Sequence, residues 1–135
     1  MDFEKFLSHN QAQKQIDKLA QKYKNKKIVI YGAAEYFDII TQNYDLSKLN
    51  IVGISDIKFQ TDKTTNQTSY LALTPEELRT YDFDILIIAL KDNYKIMTYL
   101  DKNIFQNSKN KNIKIIPIVY PTLKYLWNLY FTKSR

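Results

Sequence analysis

The sequence predicts an α/β fold of three layers, in which a five-stranded, mostly parallel sheet in the order 3-2-1-4-5 carries helices on both faces. Three observations predict it. Four short runs, KIVIYG, NIVGIS, DILIIAL and IKIIPIV, are rich in Ile and Val and apolar at consecutive positions. A strand exposed on one face alternates apolar with polar residues, whereas a strand covered on both reads as a continuous run. Segments of helical character lie between the runs, at about 34–43, 75–80 and 92–106, and that alternation is the signature of a layered α/β sheet. Finally, Gly32 closes the first run and precedes a helical segment, the place where such sheets make a tight strand-to-helix turn.

The elements follow in chain order. In residues 2–24, Phe3, Phe6, Leu7, Ala12, Ile16, Leu19, Ala20 and Tyr23 recur at the i, i+3, i+4 spacing of an amphipathic helix. A break is expected near Ser8-His9-Asn10, where a capping-type residue occurs. Residues 1–26 therefore form a helical arm, and the lysines of KYKNKK close its last turn, where cations suit the helix dipole. Residues 27–120 form the sheet domain. Within it, the polar, glycine-free stretch 58–69 is expected to be a mobile surface loop. A minor strand over 70–73 then leads to Thr74 as N-cap, Pro75 at the first helical position and Glu77 three residues past the cap, which together make a capping box.

The last segment, 121–135, places Leu123, Leu126, Trp127, Tyr130 and Phe131 on one helical face. Such a stripe is expected to close the fold by packing on the sheet. The alternative is a contact outside the domain, either a dimer or a membrane surface.

Composition limits the functions. The chain has 135 residues, the size of one domain, and no cysteine, so thiolate metal sites, catalytic thiols and disulfides are excluded. Its first twenty residues are polar, and no apolar run approaches the ~20 residues of a membrane span; the expectation is a cytoplasmic protein without a transmembrane segment. The net charge of +6 raises the question of a polyanionic partner. Nearly all of that charge is lysine, with arginine only at Arg79 and Arg135, whereas base readout favours arginine. Nucleic acid is accordingly not the expected partner.

Four segments, KIVIYGAA, NIVGISD, LTPEEL and YDFDILIIALKDN, together resemble the Rossmann-like nucleotide-binding domain of bacterial polysaccharide-biosynthesis proteins. Such domains stand at the front of nucleotide-sugar dehydratases, epimerases and sugar acyltransferases, and the resemblance covers 27 to about 118. It implies NAD or a nucleotide-sugar as cofactor, and a role in surface polysaccharide biosynthesis. The same module serves several activities, so it carries no particular reaction.

Against the G-x-G-x-x-G fingerprint, only Gly32 remains. It can make the tight turn, whereas Ala34 puts a methyl group where a pyrophosphate approaches and Phe37 puts a ring at the close helix–strand contact. Phe37 is expected to push the helix outward or to turn into the core. Glu35 brings a carboxylate to the helix N-terminus, which suits the dipole but competes with phosphate. Asp56 lies 24 residues beyond Gly32, near the spacing at which an acid meets a ribose hydroxyl. The expected site therefore has Gly32, Ala33, Ala34 and Glu35 along the phosphate turn, Asp56 and Ile57 at ribose and base, and Ala89, Leu90 and Lys91 closing the side. The competing expectation is that Asp56 merely caps a turn and Lys91 is solvated.

Catalytic arrangements are poorly represented. Y-x-x-x-K pairs occur at Tyr23/Lys27, Tyr44/Lys48 and Tyr120/Lys124, about as many as eleven tyrosines among abundant lysines give by chance. His9 is the only histidine, which excludes a multi-histidine metal site. The pairs Asp82/Asp84 and Glu76/Glu77 belong to a strand entrance and a helix cap. The expected function is a non-catalytic or regulatory nucleotide-binding module. The alternative is a protein-interaction module that self-associates through its C-terminal helix or docks on a polysaccharide-pathway partner.

Overall fold

The computed structural model describes residues 2–133; Arg135 and the end of the expected C-terminal segment, residues 134 and 135, lie outside the described residues. The chain runs α1 (Phe3–His9), α2 (Ala12–Lys22), β1 (Ile28–Tyr31), α3 (Glu35–Asn43), β2 (Ile51–Ser55), β3 (Ala72–Leu73), β4 (Ile85–Ile88), α4 (Asn93–Leu100), β5 (Lys114–Pro117) and α5 (Leu123–Lys133). The sheet is parallel throughout, in the order β3-β2-β1-β4-β5. This is the α/β fold and the strand order that the sequence predicts.

The continuous apolar runs have the expected cause. Along β1, Ile28 and Ile30 face one core, and Val29 and Tyr31 face the other; along β4, Ile85 and Ile87 alternate with Leu86 and Ile88 in the same way. All eight positions are buried. At about 1.5–3 kcal/mol for each fully buried aliphatic side chain, these central strands supply much of the force that orders the sheet. The first core is closed by α1, α2 and α3, through Phe6, Leu7, Ile16, Phe37 and Ile40 among others. The second is closed by Leu78, Leu100, Ile104 and Phe105, the last two from a π-helical turn, Asp101–Phe105, that continues α4.

The arm breaks where expected. Gln11 takes a left-handed conformation (φ 55°), which separates α1 from α2. Asn10 beside it is fully buried and ties together α1, α2 and the residue before α5. Its amide donates to the Phe6 carbonyl at 2.7 Å, and its Oδ1 accepts from the Thr122 N–H at 2.7 Å. Its carbonyl accepts from the Gln15 side chain at 2.8 Å. The capping box is also present: the Thr74 N–H donates to Glu77 Oε1 at 2.9 Å, and the Glu77 N–H to Thr74 Oγ1 at 3.1 Å. The helix that it opens is only a 3-10 turn, Glu76–Arg79.

The stretch 58–69 is a largely exposed loop that starts within the 3-10 turn Ile57–Gln60 and is held at two points: the Gln67 amide donates to Asp38 Oδ1 on α3 at 2.9 Å, and Lys63 pairs with Glu77 at 2.7 Å. One expectation needs correction. The stripe of α5 does not close the fold. Leu123, Leu126, Trp127 and Tyr130 remain exposed, and the residue of α5 that packs on the core is Tyr125, whose ring meets Phe6 edge-on at 5.5 Å. The helical period identified a stripe correctly, but the stripe faces away from the sheet.

Candidate functional site at the carboxyl edge of the sheet

In an open parallel sheet, ligands bind beyond the carboxyl ends of the strands where the strand order reverses. Here that point lies between β1 and β4, and β1 delivers Gly32 to it. Gly32 adopts φ 115°, a region that side-chain-bearing residues rarely enter. A Cβ at this position would stand 2.6 Å from the Ala89 carbonyl oxygen and 2.8 Å from Leu90 Cγ. Only glycine lets β1 turn this close to the end of β4, so the one glycine retained from the fingerprint is the one that the turn requires. The Gly32 N–H donates to the Ser55 carbonyl at 2.8 Å, which carries the sheet pairing to β2 one residue past β1.

The chain then enters α3. Ala33 is buried, while Ala34 and Glu35 are exposed. Ala34 occupies the N-cap position in an extended conformation, and no side chain caps the helix. The first-turn amides of any α-helix lack an intrahelical acceptor, and α3 presents its own beside the exposed Ala34 methyl and Glu35 carboxylate. Phe37 does not obstruct this turn: its ring is fully buried in the first core, 6.5 Å from that of Tyr70. Of the two positions expected for it, the inward one is realised.

Asp56 follows β2 directly and is 8% exposed. Its Oδ2 accepts from the Ala33 N–H at 2.8 Å and its Oδ1 from the Lys58 N–H at 3.1 Å. The second contact caps the 3-10 turn Ile57–Gln60. Lys58 returns across the gap, its ammonium donating to the Ala33 carbonyl. A carboxylate and an ammonium thus grip both faces of the Ala33 peptide region and lock the turn after β1 to the turn after β2. These two contacts use two of the about four acceptor positions of a carboxylate.

The remaining expected residues divide. Ala89 is buried against the turn, and the Leu90 side chain lies against Gly32. Ile57 is 49% exposed at the start of its 3-10 turn. Lys91 is partly buried and is not directed along the turn. Its ammonium stands 3.8 Å from the centre of the Phe6 ring, on α1, and burial there lowers its pKa from the usual lysine value. The structure therefore brings together Gly32, Ala33, Asp56, Ala89 and Leu90, with Ala34, Glu35 and Ile57 at the rim, and engages Lys91 with the helical arm.

Three groups at this edge escaped the sequence reading. Lys58 gave no signal, because one lysine among many is anonymous. The Asp56–Lys58 amide contact, by contrast, is the turn cap of the competing expectation, an Asp accepting from the N–H two residues on. Tyr31 ends β1 with its phenol pushed up to about 12, first by burial and then by the Asp56 charge, with the Ile57 amide offsetting part of this. Ser55, fully buried, has an Oγ with no hydrogen-bond partner. It follows Ile54, which faces the first core, so the alternation of the strand turns Ser55 to the face opposite α3.

Among the described residues, no group of three or more acidic or histidine side chains is placed to hold a metal ion, and no helix is long and apolar enough to cross a membrane. The acidic pair Asp82/Asp84 braces the opposite end of β1, where Asp84 accepts from the Lys27 N–H at 2.8 Å and Asp82 pairs with the Lys27 ammonium. His9 is exposed on α1.

No curated protein and no solved structure matches the chain. The family described as C2185-like, N-terminal, matches residues 24–104. That span begins just before β1 and ends in the turn that continues α4, so it contains Gly32, Asp56 and Leu90 together. With more than half of its length matched, the chain belongs to the C2185-like N-terminal family.

Proposed function

We propose that the chain is a non-catalytic nucleotide-binding module that takes NAD or a nucleotide-sugar at the carboxyl edge of β1 and β2, in the service of surface polysaccharide biosynthesis. One observation carries the reading: the buried Asp56 carboxylate sits 2.8 Å from the Ala33 amide. This joins an acid suited to a ribose diol directly to a strand-to-helix turn suited to a phosphate. The uncapped first turn of α3 supports it, because free amides at a helix N-terminus favour an anion. In this reading the phosphate meets the amides from Ala34 onward, since that of Ala33 is already engaged. The remaining acceptor positions of Asp56 take a ribose hydroxyl, and Ile57 lies against the base. Nucleotides of this kind are cytoplasmic metabolites, and the reading places the protein there.

Titration followed by amide NMR tests the proposal. Saturable shifts confined to Ala33–Phe37 and Asp56–Lys58 are expected with NAD or a UDP-sugar at submillimolar to millimolar concentration. Absence of saturation at about 5 mM of either ligand, roughly the weak limit for a useful site, would exclude it.

A further inference from the structure

We propose that α5 is the contact between two copies of this chain, packed against its symmetry mate about a two-fold axis. The inference is independent of the nucleotide reading, because α5 lies outside residues 24–104 and none of the turn residues belongs to it. An ordinary terminal helix buries its apolar stripe. In α5, Lys124, Tyr125, Asn128 and Leu129 line a groove of about 550 Å³ against Ser8, His9 and Gln11 of the same chain, and Tyr125 packs on the core. The opposite face carries Leu123, Leu126, Trp127 and Tyr130, which are 86%, 45%, 64% and 69% exposed.

The rings on that face also touch one another. Phe131 packs on Trp127 with ring centres 4.6 Å apart and meets Tyr130 edge-on at 5.8 Å. At the fractions above, the four exposed side chains present about 500 Å² per chain, which lies within the range of the largest apolar patch on a typical monomer. Two copies would remove about 1,000 Å² together, which is the lower bound for a specific interface. The association is therefore expected to be micromolar or weaker.

Two features select a second copy as the occupant. The stripe holds no charged side chain, so pairing it with itself brings no like charges into the seam despite the net charge of +6. It is also self-complementary when antiparallel. Leu123 and Leu126 occupy one end, Tyr130 and Phe131 the other, and Trp127 the middle. A two-fold axis through Trp127 then sets the leucines of one helix against the rings of its mate, as an isologous contact requires. A bilayer is the less suited occupant, because an interfacial helix is rich in cations on its polar face, and residues 123–131 carry a single one, Lys124.

Sedimentation equilibrium of the full chain, from about 5 to 500 µM so as to bracket a micromolar interface, tests the proposal. The apparent mass is expected to rise from one chain, 16.1 kDa, towards two. Trp127→Glu is expected to hold it at one chain with an unchanged circular dichroism spectrum, and Lys111→Glu, in an exposed turn before β5, to leave the rise intact. Because the chain lacks cysteine, Leu126→Cys and Lys111→Cys give a second readout that needs no loss of function. Disulfide-linked dimers are expected on mild oxidation for Leu126→Cys alone. A single-chain mass at the highest concentration, or equal cross-linking at both positions, overturns the proposal. So does a chain that stays monomeric in solution but sediments with phosphatidylglycerol vesicles in a Trp127-dependent way, which would make a lipid surface the occupant.

Discussion

The turn after β1 and the helix α5 stand in opposite conditions. At the turn, the groups nearest Gly32 have internal partners: the Ala33 amide has Asp56, the Ala33 carbonyl has Lys58, and the space beside Gly32 is filled by Ala89 and Leu90, which leaves the uncapped first turn of α3 open. On α5, six large hydrophobic side chains are exposed, and Tyr125 anchors the helix to the core. The first region is polar and braced, and the second apolar and uncovered. Buried hydrogen bonds hold a geometry at modest net stabilisation, about 1 kcal/mol each. An uncovered apolar face holds nothing within one chain and gains free energy only on contact. The difference predicts that substitutions at the turn act on folding and those on α5 act on association.

The largest effect should come at Gly32. Gly32→Ala must either carry a methyl group at φ 115°, 2.6 Å from the Ala89 oxygen, or move β1 away from β4. Backbone strain and overpacking together are expected to cost about 4 kcal/mol. Thermal unfolding followed by circular dichroism should show a fall of at least about 10 °C. A variant that melts like the parent would mean that the turn is soft and that its proximity to β4 is unimportant.

Asp56→Asn tests the brace with less disruption. The amide oxygen can still accept from one N–H, but the amide nitrogen is then directed at a second N–H, either that of Ala33 or that of Lys58. Loss of one charge-assisted hydrogen bond and the facing of two donors are expected to cost about 2 kcal/mol. Chemical denaturation should show this as a lower midpoint with an unchanged slope. If stability holds, the carboxylate is not structural and its placement at the turn serves a ligand alone.

The sheet was legible in the sequence for a specific reason. Ile28 to Tyr31 and Ile85 to Ile88 are buried on both faces, and two-sided burial leaves a pattern that alternation cannot imitate. Gly32 and the Thr74/Glu77 box were legible because each rests on a local backbone requirement. The direction of α5 was not legible, since its period shows which residues share a face and not what lies opposite. Asp56 was legible as an acid at a strand end, but a carboxylate serves an internal amide and a ribose equally well, and its partner lies 23 residues away in sequence. Lys91 followed an apolar strand end, and nothing in its neighbours announced the Phe6 ring brought over it by the helical arm.

The smallest effect is the one that separates the two regions most sharply. Leu123 is 86% exposed, so Leu123→Ser removes little apolar surface from the folded monomer that the unfolded chain does not also expose. In dilute solution the change in stability should stay within about 0.5 kcal/mol, the range of ordinary surface substitutions. At high concentration the parent chain gains stability from pairing, because whatever binds the native state alone raises its melting temperature by mass action. The two melting temperatures should therefore coincide at a few micromolar and separate as concentration rises, with the parent higher by a degree or more in the hundred-micromolar range. Coincidence at every concentration would place Leu123 outside any contact, and a gap already present when dilute would show that it packs within its own chain. A gap that opens with concentration is the signature of a face that becomes part of a core only when a second chain supplies the other half.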